Sequence, residues 1–201
     1  MPATDDEIRE KYLERAIREL NTLTRELQVC PHCPRGNLMP VLGSGHPQAD
    51  IMLLKYGPLP SEIEEGVAFY GRAGSALMKS LKRLSIDPLA VYGTLCAKCP
   101  LSDPTLADPA CIARVVAEIA IVQPKMIVVM GPDALAALGE MQIPLARTLD
   151  PRLGEVQSLT PMIDALYTPD IDGSLDEEEA KREFWAAFRV LGEWYASQPP
   201  Y

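Results

Sequence analysis

Cys30-Pro31-His32-Cys33 is a C-x-x-C turn, a spacing that lets two thiolates converge on one metal centre while backbone amides point inward at the sulfurs. Such a pair does not complete a site. The remaining cysteines are Cys96, Cys99 and Cys111, so any fold that uses the turn must bring residues near 100 back to a loop near 30. Two arrangements satisfy this. Cys30/Cys33 with Cys96/Cys99 is a double C-x-x-C, the pattern of structural zinc, whereas Cys30/Cys33 with Cys99 and Cys111 fits a four-thiolate iron-sulfur cluster. Cys96 falls on or just past a strand that reads as buried, where free cysteine is a common core residue. The opposing view, that all five are packing thiols, has to explain two small hydrophobes among the prolines of a loop.

The N-terminus, Met1-Pro2-Ala3-Thr4-Asp5-Asp6-Glu7, is acidic where an export signal is basic and then apolar. The expectation is a cytoplasmic chain, with thiols or metal ligands rather than disulfides. No run approaches the roughly 18 apolar residues of a membrane span, so no membrane partner is expected. With 201 residues and 47% apolar side chains, one substantial core is affordable and two ordinary domains are not expected. The reading is a single domain, 1–201.

Thr4-Asp5-Asp6-Glu7 is a capping box, and Ile8, Tyr12, Ile17, Leu20, Leu23 and Leu27 follow at near-helical spacing, which predicts a helix over 5–28. Ala49 to Leu54 and Lys125 to Met130 read as strands, the first buried on both faces, with a further strand over about 90–95. Gly57 to Gly74 reads as a long loop. Helices are expected over 75–84, 109–122 and 134–140, the last opened by Gly131-Pro132. Ser174-Leu175-Asp176-Glu177 is a second capping box and predicts a C-terminal helix over 175–196. Strands alternating with helices imply an α/β fold, with a central, mainly parallel four-stranded sheet flanked by helices.

After the C-x-x-C turn come Val41-Leu42-Gly43-Ser44-Gly45 and the strand ending at Leu54. The glycine-rich stretch from Gly66 to Gly74, then Lys98-Cys99-Pro100, Cys111 and the run from Pro124 to Gly131 follow in order. Together these stretches resemble the iron-sulfur, family-four branch of the uracil-DNA glycosylase superfamily. Gly66, Phe69, Gly71, Ala73 and Gly74 match that family's "G-x-P-F-V-G-x-A-G" loop, from which Ala68 and Tyr70 depart, and Pro124 to Gly131 matches "P-K-x-I-V-x-L-G" except at Met130. The resemblance implies a glycosylase-like fold and a 4Fe-4S cluster on Cys30, Cys33, Cys99 and Cys111, with Cys96 a bystander and zinc the alternative.

It also implies where the chemistry of base excision would sit. Members extrude a base, stack it on an aromatic, read its edge and stabilise a cationic sugar. Phe69 matches the stacking residue. Against "G-E-A-P-G" this chain has Lys55-Tyr56-Gly57-Pro58-Leu59, so Tyr56 replaces the carboxylate. Leu95 replaces the base-reading asparagine of "T-N-V-V-K-C", and Thr168 replaces the histidine of "Y-H-P". Removing one such preorganised group costs on the order of a hundredfold to a thousandfold in rate. Glu62, Glu64 or Glu65 is a candidate displaced carboxylate, weighed against a solvated loop charge.

A formal charge of -9 argues against a uniformly cationic DNA-binding surface. Arg72, Lys79 and Lys98, with Lys82 and Arg83, remain candidates for a local phosphate-binding patch. The expected function is a DNA-repair-related binding or accessory protein with uracil excision weak or lost, with DNA and a repair protein as candidate partners. The alternatives are an active DNA glycosylase with altered base preference and a protein-interaction module.

Overall fold

The structure is a computed structural model describing residues 5–101 and 107–199. The capping threonine, Thr4, lies outside the described residues. Among these, the sheet has six strands in the order β1-β3-β2-β4-β6-β5: β1 Ser44–Gly45, β2 Ile51–Lys55, β3 Val91–Leu95, β4 Met126–Met130, β5 Val156–Ser158 and β6 Asp164–Thr168. The middle four, β3, β2, β4 and β6, run parallel, and the short edge strands β1 and β5 are antiparallel. The expected four-stranded parallel centre is present, with two edge strands that the sequence reading did not anticipate.

Alternate side chains of the parallel strands enter two separate cores. Met52, Leu54, Ile127, Val129 and Ala165 face a core built with Val115, Ile119 and Val122 of α4 (Pro109–Val122) and Ala134, Ala137 and Leu138 of α5 (Pro132–Glu140). Leu20 of α1 (Asp5–Gln28) packs against the same core. Ile51, Leu53, Val128, Met130 and Leu166 face Ala73, Leu77 and Leu81 of α3 (Arg72–Arg83) and Phe184, Phe188 and Leu191 of α7 (Glu178–Ser197). Burial on both faces explains why β2 and β4 read as unbroken apolar runs rather than alternating ones. α7 is also fastened to β6 by Trp194 Nε1 donating to Asp164 Oδ2 at 3.0 Å. No described helix is long and apolar enough to cross a membrane.

Two boundaries depart from expectation. The stretch 57–74 is not loop throughout: Pro60–Glu65 forms the one-and-a-half-turn helix α2, and α3 already begins at Arg72. Pro60 supplies a preset first helical φ, and Glu62 accepts from the backbone N–H of Leu59 at 2.7 Å, which is the acidic half of a capping box. At the other end, Ser174 does not cap α7. Its hydroxyl donates to the Asp170 carbonyl, closing the short helix α6 (Ile171–Ser174), and α7 opens four residues later at Glu178.

β2 is the strand from which the chain departs in both directions, to β3 on one side and later to β4 on the other. In open α/β sheets the carboxyl ends at such a reversal leave a crevice. Lys55 and Met130 end the two strands beside it.

Candidate functional site

The register across the sheet aligns Leu95, Lys55, Met130 and Thr168 in one row at the carboxyl edge. Three positions singled out from the sequence therefore converge here: Leu95 and Thr168 lie in the row, and Tyr56 follows it. Each is in an environment of its own. Leu95 is fully buried and packs with Val41, Ala68 and Phe69. Thr168 is also fully buried, its hydroxyl donating to the Pro169 carbonyl at 3.1 Å. Tyr56 packs against the α4/α5 core and lines a cavity of about 240 Å³ between the ends of β2 and β4, together with Lys55, Asp133, Asp170 and Asp172.

The fourth position, Phe69, sits in the left-handed region at φ +60°, a conformation that costs a non-glycine residue of order 1–3 kcal/mol and persists only when its surroundings enforce it. Glu62 enforces it by accepting from the Phe69 backbone N–H. Glycines make room on both sides: a Cβ on Gly74 would collide with the Phe69 carbonyl at 1.8 Å, and one on Gly93 would come within 2.5 Å of the ring.

Lys55 is the residue that sequence reasoning missed. It is 1% exposed, and its ammonium lies 2.8 Å from Glu62 Oε2, 2.7 Å from Asp172 Oδ2 and 5.4 Å from the Phe69 centroid, over the ring. A buried ammonium without partners is prohibitively costly, whereas one between two carboxylates is sustained. Glu62 is fully buried and holds Lys55 as well as the amides of Leu59 and Phe69. It is thus neither a solvated loop charge nor a carboxylate open to water. Glu64 and Glu65 are exposed. The available signal was a lysine closing a strand otherwise buried on both faces; its partner Asp172, 117 residues further on, carried none.

Asp170 caps α6 by accepting from the Asp172 N–H at 3.2 Å and packs against Gly131, where a Cβ would approach to 3.0 Å. Burial chiefly, and the neighbouring Asp172 charge, push its carboxyl above the ordinary carboxylate range.

At a second centre, Cys33, Cys99 and Cys111 bring their sulfurs within 4.8 Å of one another, all buried. The Cys33 and Cys111 sulfurs are 3.6 Å apart, and the Asp108 N–H points at Cys33 Sγ at 3.4 Å. Hydrogen bonding from Cys99 foremost, then from Cys33 and the Lys98 amide, pulls the Cys111 thiol down to about 6, and the Cys99 thiol is pushed up in consequence. Three converging thiols, one already inclined to ionise and served by backbone donors, fit the donor set of a thiolate-bound metal or cluster. Cys30 is buried on the same turn but is not within that distance of all three. Cys96 is absent from the trio: it lies in the α4/α5 core with its thiol pushed up to about 12 by burial. His32 reaches toward Asp108 at 3.7 Å, and His46 accepts from the Gln48 N–H as a turn residue.

Lys98 corrects the sequence-based reading. It is 1% exposed rather than surface-facing, and its ammonium donates to Thr94 Oγ1, to the Leu95 carbonyl at 3.0 Å and to Glu118 Oε2 at 2.8 Å. Three partners use all three ammonium protons, leaving none for a phosphate. Lys98 instead ties the cysteine-bearing segment to the strand end at Leu95 and to α4, the helix that carries Cys111. Arg72 is exposed and paired with Asp176 at 2.8 Å, and Lys79 is exposed.

Comparison with known proteins accords with this geometry. The family model for the uracil DNA glycosylase superfamily matches residues 42–189, and the chain belongs to that superfamily. The type-4 uracil-DNA glycosylase of Pyrobaculum aerophilum is 30% identical over 132 residues, covering 62% of this chain and 65% of its own. Those of Sulfurisphaera tokodaii and Thermotoga maritima are 32% identical over 123 residues (56% and 54%) and 30% identical over 128 residues (61% and 66%). The chain thus spans less than two thirds of the length of each of these relatives.

Two consequences follow from the buried charges. Lys55→Met, which strands Glu62 and Asp172, is expected to lower the free energy of unfolding in urea by about 3–5 kcal/mol. Adding Glu62→Gln should recover part of that loss, and a single variant as stable as wild type would show that the ion pair does not organise the site. Asp170 holds its proton more tightly folded than unfolded. Its contribution therefore favours folding below the ordinary carboxylate range and is lost as pH rises through its raised value. Asp170→Asn should accordingly lose less stability than wild type between acid and neutral pH in parallel urea titrations.

Proposed function

We propose that this protein is an iron-sulfur member of the superfamily that serves as a DNA-binding or accessory component of repair, in the cytoplasm, with uracil excision weak or lost. The observation that carries the reading is the strand-end row itself. Where base excision needs an edge reader, a charge stabiliser for the leaving base and a carboxylate beside the sugar, the row offers Leu95, Thr168 with its hydroxyl turned to a backbone carbonyl, and Tyr56. Lys55 lies against the Phe69 ring, held there by Glu62 and Asp172.

Cys33, Cys99 and Cys111, with Cys30 from the same turn, are the residues that would hold a 4Fe-4S cluster; zinc on these thiolates is the alternative. The group would supply a structural cross-link between the 30–33 turn, the segment after β3 and α4. Lys98 and Glu118 would then keep that cross-link in register with Leu95.

One observation favours a second reading, a glycosylase with altered base preference. Asp133, Asp170 and Asp172 surround the cavity beside Tyr56, and carboxylates there would favour a cationic sugar. Only Asp172 of this group is paired with Lys55, which leaves Asp133 and Asp170, and Asp170 is the more buried of the two.

Anaerobically prepared protein is expected to contain iron and acid-labile sulfide, retained in Cys96→Ser and lost in Cys111→Ser; zinc without iron would remove the cluster assignment. Single-turnover incubation with a deoxyuridine oligonucleotide is expected to release uracil at no more than about a thousandth of the rate of an intact family member, given three replaced groups. Rapid release would overturn the accessory reading. Release of another base from a panel of damaged oligonucleotides, abolished by Asp170→Asn, would establish the second.

A further inference from the structure

The chain as a whole has 28 acidic and 19 basic residues, yet α3 carries Arg72, Lys79, Lys82 and Arg83 and no acid. Two of these cations are committed, Arg72 to Asp176 and Arg83 to the face of Trp185 at 4.4 Å. Lys79 and Lys82 are exposed, and neither forms an ion pair among the described residues. Alongside them, between α3 and the β1/β3 edge, a cleft of about 640 Å³ opens, with Phe69, Tyr70, Met78 and Lys79 among its walls. Tyr70 and Met78 are 48% and 50% exposed, so an aromatic face and an adaptable thioether stand open beside an uncompensated positive charge.

We propose that this cleft is a binding site for single-stranded DNA, in which an unpaired base stacks on Tyr70 within the apolar walls while Lys79 and Lys82 contact phosphates. The proposal rests on the DNA-binding reading above and names the form of DNA. Bases inside a duplex are stacked on one another, and an aromatic set in a concave wall is reached only by a base already out of the stack. A single strand offers such bases freely, and an aromatic beside a basic track is how proteins hold it without reading sequence. The cleft also falls within the usual size of a small-ligand site. Complementarity of charge selects this occupant: α3 is positive on an otherwise acidic protein, which a polyanion would seek out and an acidic second copy would gain less from.

The test is fluorescence anisotropy with dye-labelled oligothymidylate and with a duplex of the same length, using the full chain at several salt concentrations. Single strand is expected to bind more tightly than duplex. Tyr70→Ala should weaken it about tenfold and Tyr70→Phe should restore it, since the ring supplies the contact. Lys79→Gln with Lys82→Gln should reduce the slope of log affinity against log salt by about 1.4, and Lys11→Gln on α1 serves as a charge control with no comparable effect. Preference for duplex, or affinity unchanged by the Tyr70 and lysine variants, would overturn this site while leaving DNA binding intact. Absence of binding to either form at low salt would overturn both this site and the DNA-binding reading.

Discussion

At the centre of the strand-end site is an ammonium shut away from water between two carboxylates. Lys55 closes a strand whose other residues are all buried, so its charge has nowhere to go but to partners, and it draws them from distant parts of the chain. Glu62 comes from α2 and Asp172 from α6. Through Glu62 the same contact fixes the backbone of Phe69 in its left-handed turn, and through Asp172 it fixes the segment that follows β6. Disturbing Lys55 would therefore be felt by every group that lines the crevice.

The second buried ion pair links the two halves of the functional end. Lys98 sits one residue before Cys99, donates its backbone amide toward Cys111 and its ammonium to Glu118 and the end of β3. The thiol centre and the strand-end row are thus joined by a buried lysine. In a sheet protein of this kind a cross-link at the cysteines would stiffen the edge of the crevice without any electron transfer being asked of it.

Much of this was legible in the sequence, for identifiable reasons. β2 and β4 declared themselves as apolar runs bounded by turn residues, α4 and α5 opened on prolines at the first turn, and α1 followed its periodicity. The elements that went unread were those whose signal is short or non-local. β6 begins with Asp164, whose carboxylate is satisfied by Trp194 rather than by water; α2 is too brief to show a period. Lys98 looks like a surface cation in the sequence because its partner Glu118 is 20 residues away on a helix whose inward face only the fold reveals. The cysteine assignment fared differently. Cys33, Cys99 and Cys111 meet, and Cys96, one residue past β3, is held in the α4/α5 core, which spacing alone could not have decided.

On the proposed reading, Lys55 and its partners bar base excision from the crevice together with the three replaced side chains. Uracil release by two rebuilt proteins tests this, one carrying Tyr56→Glu, Leu95→Asn and Thr168→His, the other adding Lys55→Gly together with Glu62→Gln and Asp172→Asn so that no carboxylate is left buried without its ammonium. The triple variant is expected to stay near background, and the second protein, its fold checked by urea unfolding, to show measurable release. Full release by the triple variant with Lys55 in place would contradict this reading.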